Sequence, residues 1–180
     1  MTFLETKRLL FRSHEPQDRD AFVRMQTDPE VRRYVGRTAW SPERALQRFR
    51  DQYLRKPSKV YGLWATVLAE TNEYIGCCGL RYRSHGKAGK TANLAYYLAH
   101  PYWRRGFATE ASEAFIDVAF SRLHLAVLYA DVEKGNDASE HILQKLSFAQ
   151  AGREEIPGRV FHLYHLPKDE WQRRNSLPAA

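Results

Sequence analysis

The chain has 180 residues, 43% of them hydrophobic, and its 28 Lys and Arg against 21 Asp and Glu leave a formal charge of +7. That length and apolar content support one packed domain and exclude disorder as its default state. The positive excess suits an anionic ligand or a nucleic-acid surface and chooses neither.

Lys7 to Ser13 alternates weakly and reads as a first strand. Pro16 opens a helix with Ala21, Phe22 and Met25 on one side, and Asp28-Pro29-Glu30 punctuates it. Ser41-Pro42-Glu43 combines a capping hydroxyl, a first-turn proline and a carboxylate that complements the helix dipole. The helix it starts is expected to bury Leu46, Phe49 and Tyr53 and to stop near Pro57. Val60 to Ala69 and Tyr74 to Tyr82, joined through Glu70-Thr71-Asn72-Glu73, read as a hairpin. Residues 84–90 look like a flexible connection to a strand at Leu94 to Ala99. A helix then runs from Gly106 to about Arg122 with Phe107, Ala111, Ala114, Phe115 and Val118 on one stripe. Leu125 to Val132 reads as a strand, because Val127, Tyr129 and Val132 favour a pleated surface. Asn136 caps a short helix bearing Ile142, Leu143 and Leu146. Phe148 to Glu155 and Arg159 to Leu166 form a last hairpin around Pro157-Gly158. Residues 167–180 are polar, hold two prolines, and are expected to fray.

This order predicts an α/β (α+β) domain over residues 1–166. A mixed, mostly antiparallel central sheet of about seven strands would be flanked by about four helices, with one crossover in its middle. Glu5, Lys7, Arg8 and Arg12 break up any signal-like segment at the start. No apolar run approaches the roughly 20 residues of a membrane span, so no membrane association is expected. The only cysteines, Cys77 and Cys78, are adjacent and cannot staple distant segments. A reduced, cytoplasmic location is the expectation. His162 and His165 lie three apart on a strand, hence on opposite faces, and no metal is expected there.

Pro101-Tyr102-Trp103-Arg104-Arg105-Gly106-Phe107-Ala108-Thr109-Glu110 carries the strongest functional signal. A strand turning into a helix through basic residues and a glycine offers free N–H groups and a favourable dipole to a phosphate. A second strand–helix junction, Asp131 to Ser139, would lie beside the first if the strands around Tyr97 and Tyr129 pair.

The chain resembles the GNAT N-acetyltransferase superfamily, and within it the branch of ribosomal-protein N-terminal acetyltransferases. Glu5-Thr6-Lys7-Arg8-Leu9-Leu10-Phe11-Arg12 is similar to that branch's opening strand, and Asp28-Pro29-Glu30-Val31 to its link after the first helix. Tyr74-Ile75-Gly76-Cys77-Cys78-Gly79-Leu80 is similar to its third strand. Trp103 to Ala111 is similar to its acetyl-CoA loop, and Asn136-Asp137-Ala138-Ser139 with Lys145-Leu146-Ser147-Phe148 to its last motif.

The resemblance implies acetyl-CoA as co-substrate, seated between splayed strands. Its pyrophosphate would rest on Arg104, Arg105, Gly106, Phe107, Ala108 and Thr109, with Trp103 opening the loop. Its arm would run along Leu98, Ala99 and His100 and meet Asn136 and Ser139. Trp103 stands where the superfamily usually has glutamine or arginine. Leu143 falls where a tyrosine often protonates the departing thiolate, which leaves Ser139 as the nearest replacement. Tyr97 is a candidate for a water relay to the amine, and Glu30, Trp40 and Tyr97 for contacts with the acceptor. The implied reaction is direct transfer of acetyl to a primary amine, a peptide N-terminus first and a small-molecule amine (antibiotic, polyamine or metabolite) second. A nucleic-acid module is less favoured, since no arginine-rich helix, glycine-rich RNA motif or zinc spacing occurs. A homodimer is compatible with the chain.

Overall fold

In the computed structural model, which describes residues 2–36, 38–54, 60–83 and 91–176, the chain begins with β1 (Thr2–Glu5) and β2 (Leu9–Arg12). Three helices follow, α1 (Arg19–Thr27), α2 (Pro29–Arg32) and α3 (Pro42–Arg48). The centre is β3 (Gly62–Leu68), β4 (Tyr74–Arg83), β5 (Thr91–Leu98), α4 (Phe107–Ser121) and β6 (Val127–Glu133). The chain closes with α5 (Asp137–Lys145), β7 (Ala149–Ile156), β8 (Arg159–Pro167) and α6 (Lys168–Ser176).

The described strands form one eight-stranded sheet in the order β1-β2-β3-β4-β5-β6-β8-β7. Every pairing is antiparallel except β5 with β6, the two strands joined through α4. A parallel pair needs such a crossover, so α4 lies on one sheet face by necessity. The mixed α/β architecture expected from the sequence is the one observed. It has one strand and two helices more than the expected counts among the described residues. The added strand is β1, which folds back on β2; the added helices are the single turn α2 and the terminal α6.

Two clusters of side chains hold the layers. Phe107, Ala111, Phe115, Ile116, Val118 and Ala119 of α4 bury against Leu94 and Leu98 of β5 and Leu128, Ala130 and Val132 of β6. On the other face Phe22 and Met25 of α1, Val31 of α2 and Phe49 pack on Ala65 and Val67 of β3. Removing a ring such as Phe115 would cost about 3–5 kcal/mol. The helix start at Ser41 is as expected, its hydroxyl accepting the Arg44 N–H at 3.3 Å with Pro42 in the first turn. The helix buries Ala45, half-buries Leu46, and passes at Phe49–Tyr53 into a wider π-helical turn.

His14 sits among the rings of Phe22, Phe49, Tyr53 and Tyr74, and neither ring nitrogen has a hydrogen-bond partner among the described residues. Burial pushes its pKa down to about 4, so it is neutral in the folded state.

One expectation is corrected. Residues 168–176 form helix α6 rather than a frayed tail. Trp171 is buried, its indole N–H donating to Asp117 at 2.8 Å, and Arg174 pairs with Glu113 at 2.8 Å. A single aromatic anchor in a polar segment gives no periodic signal, yet it fixes the helix on α4. The connection expected at residues 84–90 and the helix stop near Pro57 lie outside the described residues.

Candidate active site

β5 shares eight register pairs with β4 but only one, Asn93 with Tyr129, with β6. The two parallel strands therefore part toward their carboxyl ends, where α4 and α5 begin. The Ala99 N–H donates to the Ile75 carbonyl at 2.9 Å. Antiparallel alternation then turns the peptide groups of Tyr96 and Leu98 away from β4 and into the gap. The Leu98 carbonyl accepts the Trp103 indole N–H at 2.7 Å, while its N–H faces the opening.

The gap holds a cavity of about 320 Å³. Asn93 to Tyr97 and Ala130 to Glu133 form its strand walls, and Asn136, Ser139 and Leu143 its α5 side. Tyr34, Val35, Gly36, Arg81, Arg159 and Phe161 line it from the other sheet face. Tyr96 and Tyr97 take opposite sides, as strand alternation requires: Tyr96 packs with the α4 cluster and Tyr97 with the α1 cluster. The Tyr96 hydroxyl is buried beside the Ser139 side chain. Burial lifts its pKa to about 12, so it is protonated at neutral pH. Burial also raises Tyr97, with the neighbouring Arg81 guanidinium working against the shift.

The two helix starts differ. Gly106 is left-handed at φ 78°, and no side chain caps α4. Arg104 is left-handed as well, at φ 58°. These conformations aim successive N–H groups outward, an arrangement that receives anions. The Arg8 guanidinium braces the loop by donating to the Arg105 carbonyl at 2.9 Å and to Glu110 at 2.6 Å. Glu110 also accepts from the Thr6 hydroxyl and the Arg8 N–H. Burial alone would raise its pKa, but these bonds prevail and hold it below the usual carboxylate range. At α5 the Asn136 side chain accepts the Ser139 N–H at 3.3 Å, which caps the helix and leaves the amide nitrogen as a donor.

The charged groups around the cavity divide between its walls. On β6, Asp131 accepts from Asn93 and Glu133 pairs with Arg159 at 2.7 Å. Across from them stand Arg81 of β4 and, behind Gly36, the buried Arg32 of α2.

The profile of the Acetyltransferase (GNAT) domain family matches residues 8–149, most of the chain. The chain belongs to the GNAT acetyltransferase family. It is 31% identical over 172 residues to the uncharacterized N-acetyltransferase p20 of Bacillus licheniformis, covering 91% of this chain and 94% of that one. Its fold is similar to a GNAT-family acetyltransferase from Bacillus anthracis, with a TM-score of 0.80 at 20% identity over 94% of this chain and all of the other. A ribosomal L7/L12 alpha-N-protein acetyltransferase solved with coenzyme A superposes with a TM-score of 0.74 at 14% identity, over 94% of this chain and 99% of that one. GNAT enzymes are acyltransferases that use acetyl-CoA, and this chain is an N-acetyltransferase by family.

Of the residues singled out in the sequence, Tyr97, Asn136 and Ser139 meet at the cavity. Leu98 borders the gap through its backbone. Arg104 to Thr109 form the start of α4 beyond the carboxyl end of β5 and do not line the cavity themselves. Ala99 and His100 line a second cavity of about 550 Å³ against α1. Glu30 is exposed and pairs with Arg33 at 3.7 Å, while Trp40 stacks on Arg32 at 4.3 Å; neither reaches either cavity. The segment between them, Tyr34 to Gly36, does so instead. Arg81, Asn93, Asp131 and Arg159 were not foreseen. Each is an ordinary polar residue on a strand, and only pairing across four strands gathers them.

Proposed function

We propose that this GNAT enzyme transfers the acetyl group of acetyl-CoA directly to a primary amine in a ternary complex. The observation that carries the reading is the parting of β5 from β6 at Asn93, between one uncapped helix start and one that presents an amide. The residues fit acetyl-CoA on two counts. The start of α4 offers unpaired N–H groups to a pyrophosphate, and the Asn136 amide nitrogen stays available as a donor at the cavity.

Acetyl-CoA supplies an activated thioester. Arg104 to Thr109 would hold its diphosphate, and the Asn136 amide would donate to its arm. The Leu98 N–H would donate to the acetyl oxygen as negative charge builds there. The attacking amine, with a pKa of about 8–10, must first lose its proton. In this reading a water beside Tyr97 takes that proton and passes it to bulk solvent on the acceptor face. Leu143 has no proton for the departing thiolate; Tyr96, kept protonated by burial, and Ser139 are the hydroxyls on that side.

The acceptor in this reading is the N-terminal amine of a peptide or protein, admitted between Tyr34–Gly36 and the β7–β8 hairpin. The L7/L12 acetyltransferase of the same fold, which acts on a protein α-amine, supports that choice by analogy alone. A compact small-molecule amine is the second reading, favoured by the modest cavity volume. Calorimetry with acetyl-CoA tests the donor half: a Kd well below about 1 mM is expected, and no heat at that concentration refutes the proposal. Thiol release on peptides and small amines then separates the acceptors.

A further inference from the structure

The acceptor side of the cavity is not electrically uniform. Asp131 and Glu133 both sit on β6, and both are engaged, by the Asn93 amide and the Arg159 guanidinium. Arg81 stands on β4, directly across the register from Asn93, with its side chain exposed at the cavity beside Tyr97. Among the described residues it has no carboxylate partner.

Arg32 reinforces this wall from behind. It is 6% exposed, and its guanidinium donates to the Gln26 side chain at 3.1 Å and to the Thr38 carbonyl at 3.3 Å. It also lies over the Trp40 ring at 4.3 Å. These are neutral partners, and among the described residues no carboxylate pairs with it. Its Nη2 lies 2.7 Å from where a Cβ on Gly36 would stand, and Gly36 is left-handed at φ 86°, so the wall is closely applied to the guanidinium at a position that favours glycine. Burial lowers the pKa of Arg32, and the charges of Arg44 and Arg159 add to that strain. A buried, uncompensated guanidinium is costly unless an anion approaches it.

We infer that the acceptor of this enzyme is a primary amine that also bears a carboxylate or similar anion, received by Arg81 with the charge of Arg32 behind it. The amine enters toward the Leu98 opening, and the anion is held on the β4 side. Polyamines and other polycations are disfavoured by the same wall. The inference rests on the transferase reading above and narrows its substrate class. The shared chemistry has two sources, a free amino acid and a peptide whose first residues are acidic, and the experiment separates them.

The test is steady-state thiol release by the full chain at saturating acetyl-CoA. Amino acids are compared with their amides, and peptides with Asp or Glu near the N-terminus with their Asn or Gln counterparts. A preference of about tenfold to 100-fold in kcat/KM for the acid of a matched pair is expected, the range for a charge-assisted hydrogen bond. Whichever pair shows it identifies the source. Arg81→Gln should bring the acid-to-amide ratio toward one while changing acetyl-CoA affinity less than about twofold, since Arg81 is remote from the α4 start. Arg32→Lys, which keeps the charge, should preserve the ratio.

If turnover is slow, calorimetry of the acetylated acid against its amide on the coenzyme A complex gives the same comparison. Equal use of acid and amide, a preference for polyamines, or an unchanged ratio in Arg81→Gln overturns the inference. Those failures are distinct from a failure to bind acetyl-CoA, which would overturn the transferase reading itself.

Discussion

At the end of β5 the chain enters α4 through a left-handed glycine with no side-chain cap, whereas at the end of β6 it enters α5 through Asn136, whose oxygen satisfies the Ser139 N–H. The first junction is held by contacts from outside the helix: Arg8 spans from the Arg105 carbonyl to Glu110, and Thr6 adds a further bond. The second is self-sufficient. A helix start that leaves its own donors unmet while its surroundings are braced is organised for a ligand, and one that caps itself is organised first for stability. The α5 start lines the gap between β5 and β6 and the α4 start lies beyond the end of β5, so the two junctions have different tolerance to change.

Gly106→Glu should break the comparison most severely. It places a carboxylate and a side chain at φ 78°, with the Arg8 guanidinium 3.3 Å from the new Cβ. Acetyl-CoA affinity is expected to fall at least ~100-fold by calorimetry. Gly106→Asn, which tolerates the left-handed region, should retain most of it. Normal binding by the Glu variant would mean that the pyrophosphate is not at α4.

Glu110→Gln attacks the brace. Loss of its charged bonds should lower unfolding free energy by about 1–3 kcal/mol at neutral pH, read from urea midpoints. Because the folded carboxyl titrates below its ordinary value, its stabilisation is present above the unfolded pKa of about 4.3. It is lost as pH falls through the folded value. The gap between variant and parent should therefore narrow at pH 3, and an equal gap at both pH values would argue against the ion pair.

At the other junction two substitutions sharpen the contrast. Asn136→Ala should cost about 1 kcal/mol of stability through the lost cap. Asn136→Asp keeps the capping oxygen and loses the amide donor, so it should spare stability yet weaken acetyl-CoA binding. If Asp and parent bind alike, Asn136 is a cap and nothing more. The smallest effect is expected from Trp103→Phe. It frees the Leu98 carbonyl and should change acetyl-CoA affinity by less than about tenfold, a single neutral hydrogen bond being worth about 1 kcal/mol.

Much of the fold is legible along the chain because it is written in local terms. Ser41-Pro42-Glu43 marks its helix by cap chemistry, Glu70 to Glu73 marks its hairpin, and the stripe from Phe107 to Val118 marks α4 by periodicity. The α4 loop is legible for the same reason: basic residues and a glycine between strand and helix are adjacent in sequence. β1 escapes notice because four residues carry too little alternation, and α6 because one tryptophan supplies its burial. Glu30 and Trp40 lie outside the cavity lining, while the turn between them carries Tyr34 to Gly36 into it. Local sequence gives the position of a segment and not which of its residues faces inward.

The sequence by itself determined the order of the main elements, the basic, glycine-bearing turn into α4 and the absence of a phenol at Leu143. Only the tertiary structure decided which charged side chains meet at the cavity. Arg81, Asn93, Asp131 and Arg159 come from β4, β5, β6 and β8, and Arg32 from a helical turn far earlier. Their proximity depends on register across the sheet and on where β5 and β6 part, and both are set by packing between segments distant in the chain. Local pattern encodes the half of the site built from a single turn, and sheet geometry creates the half built from many strands.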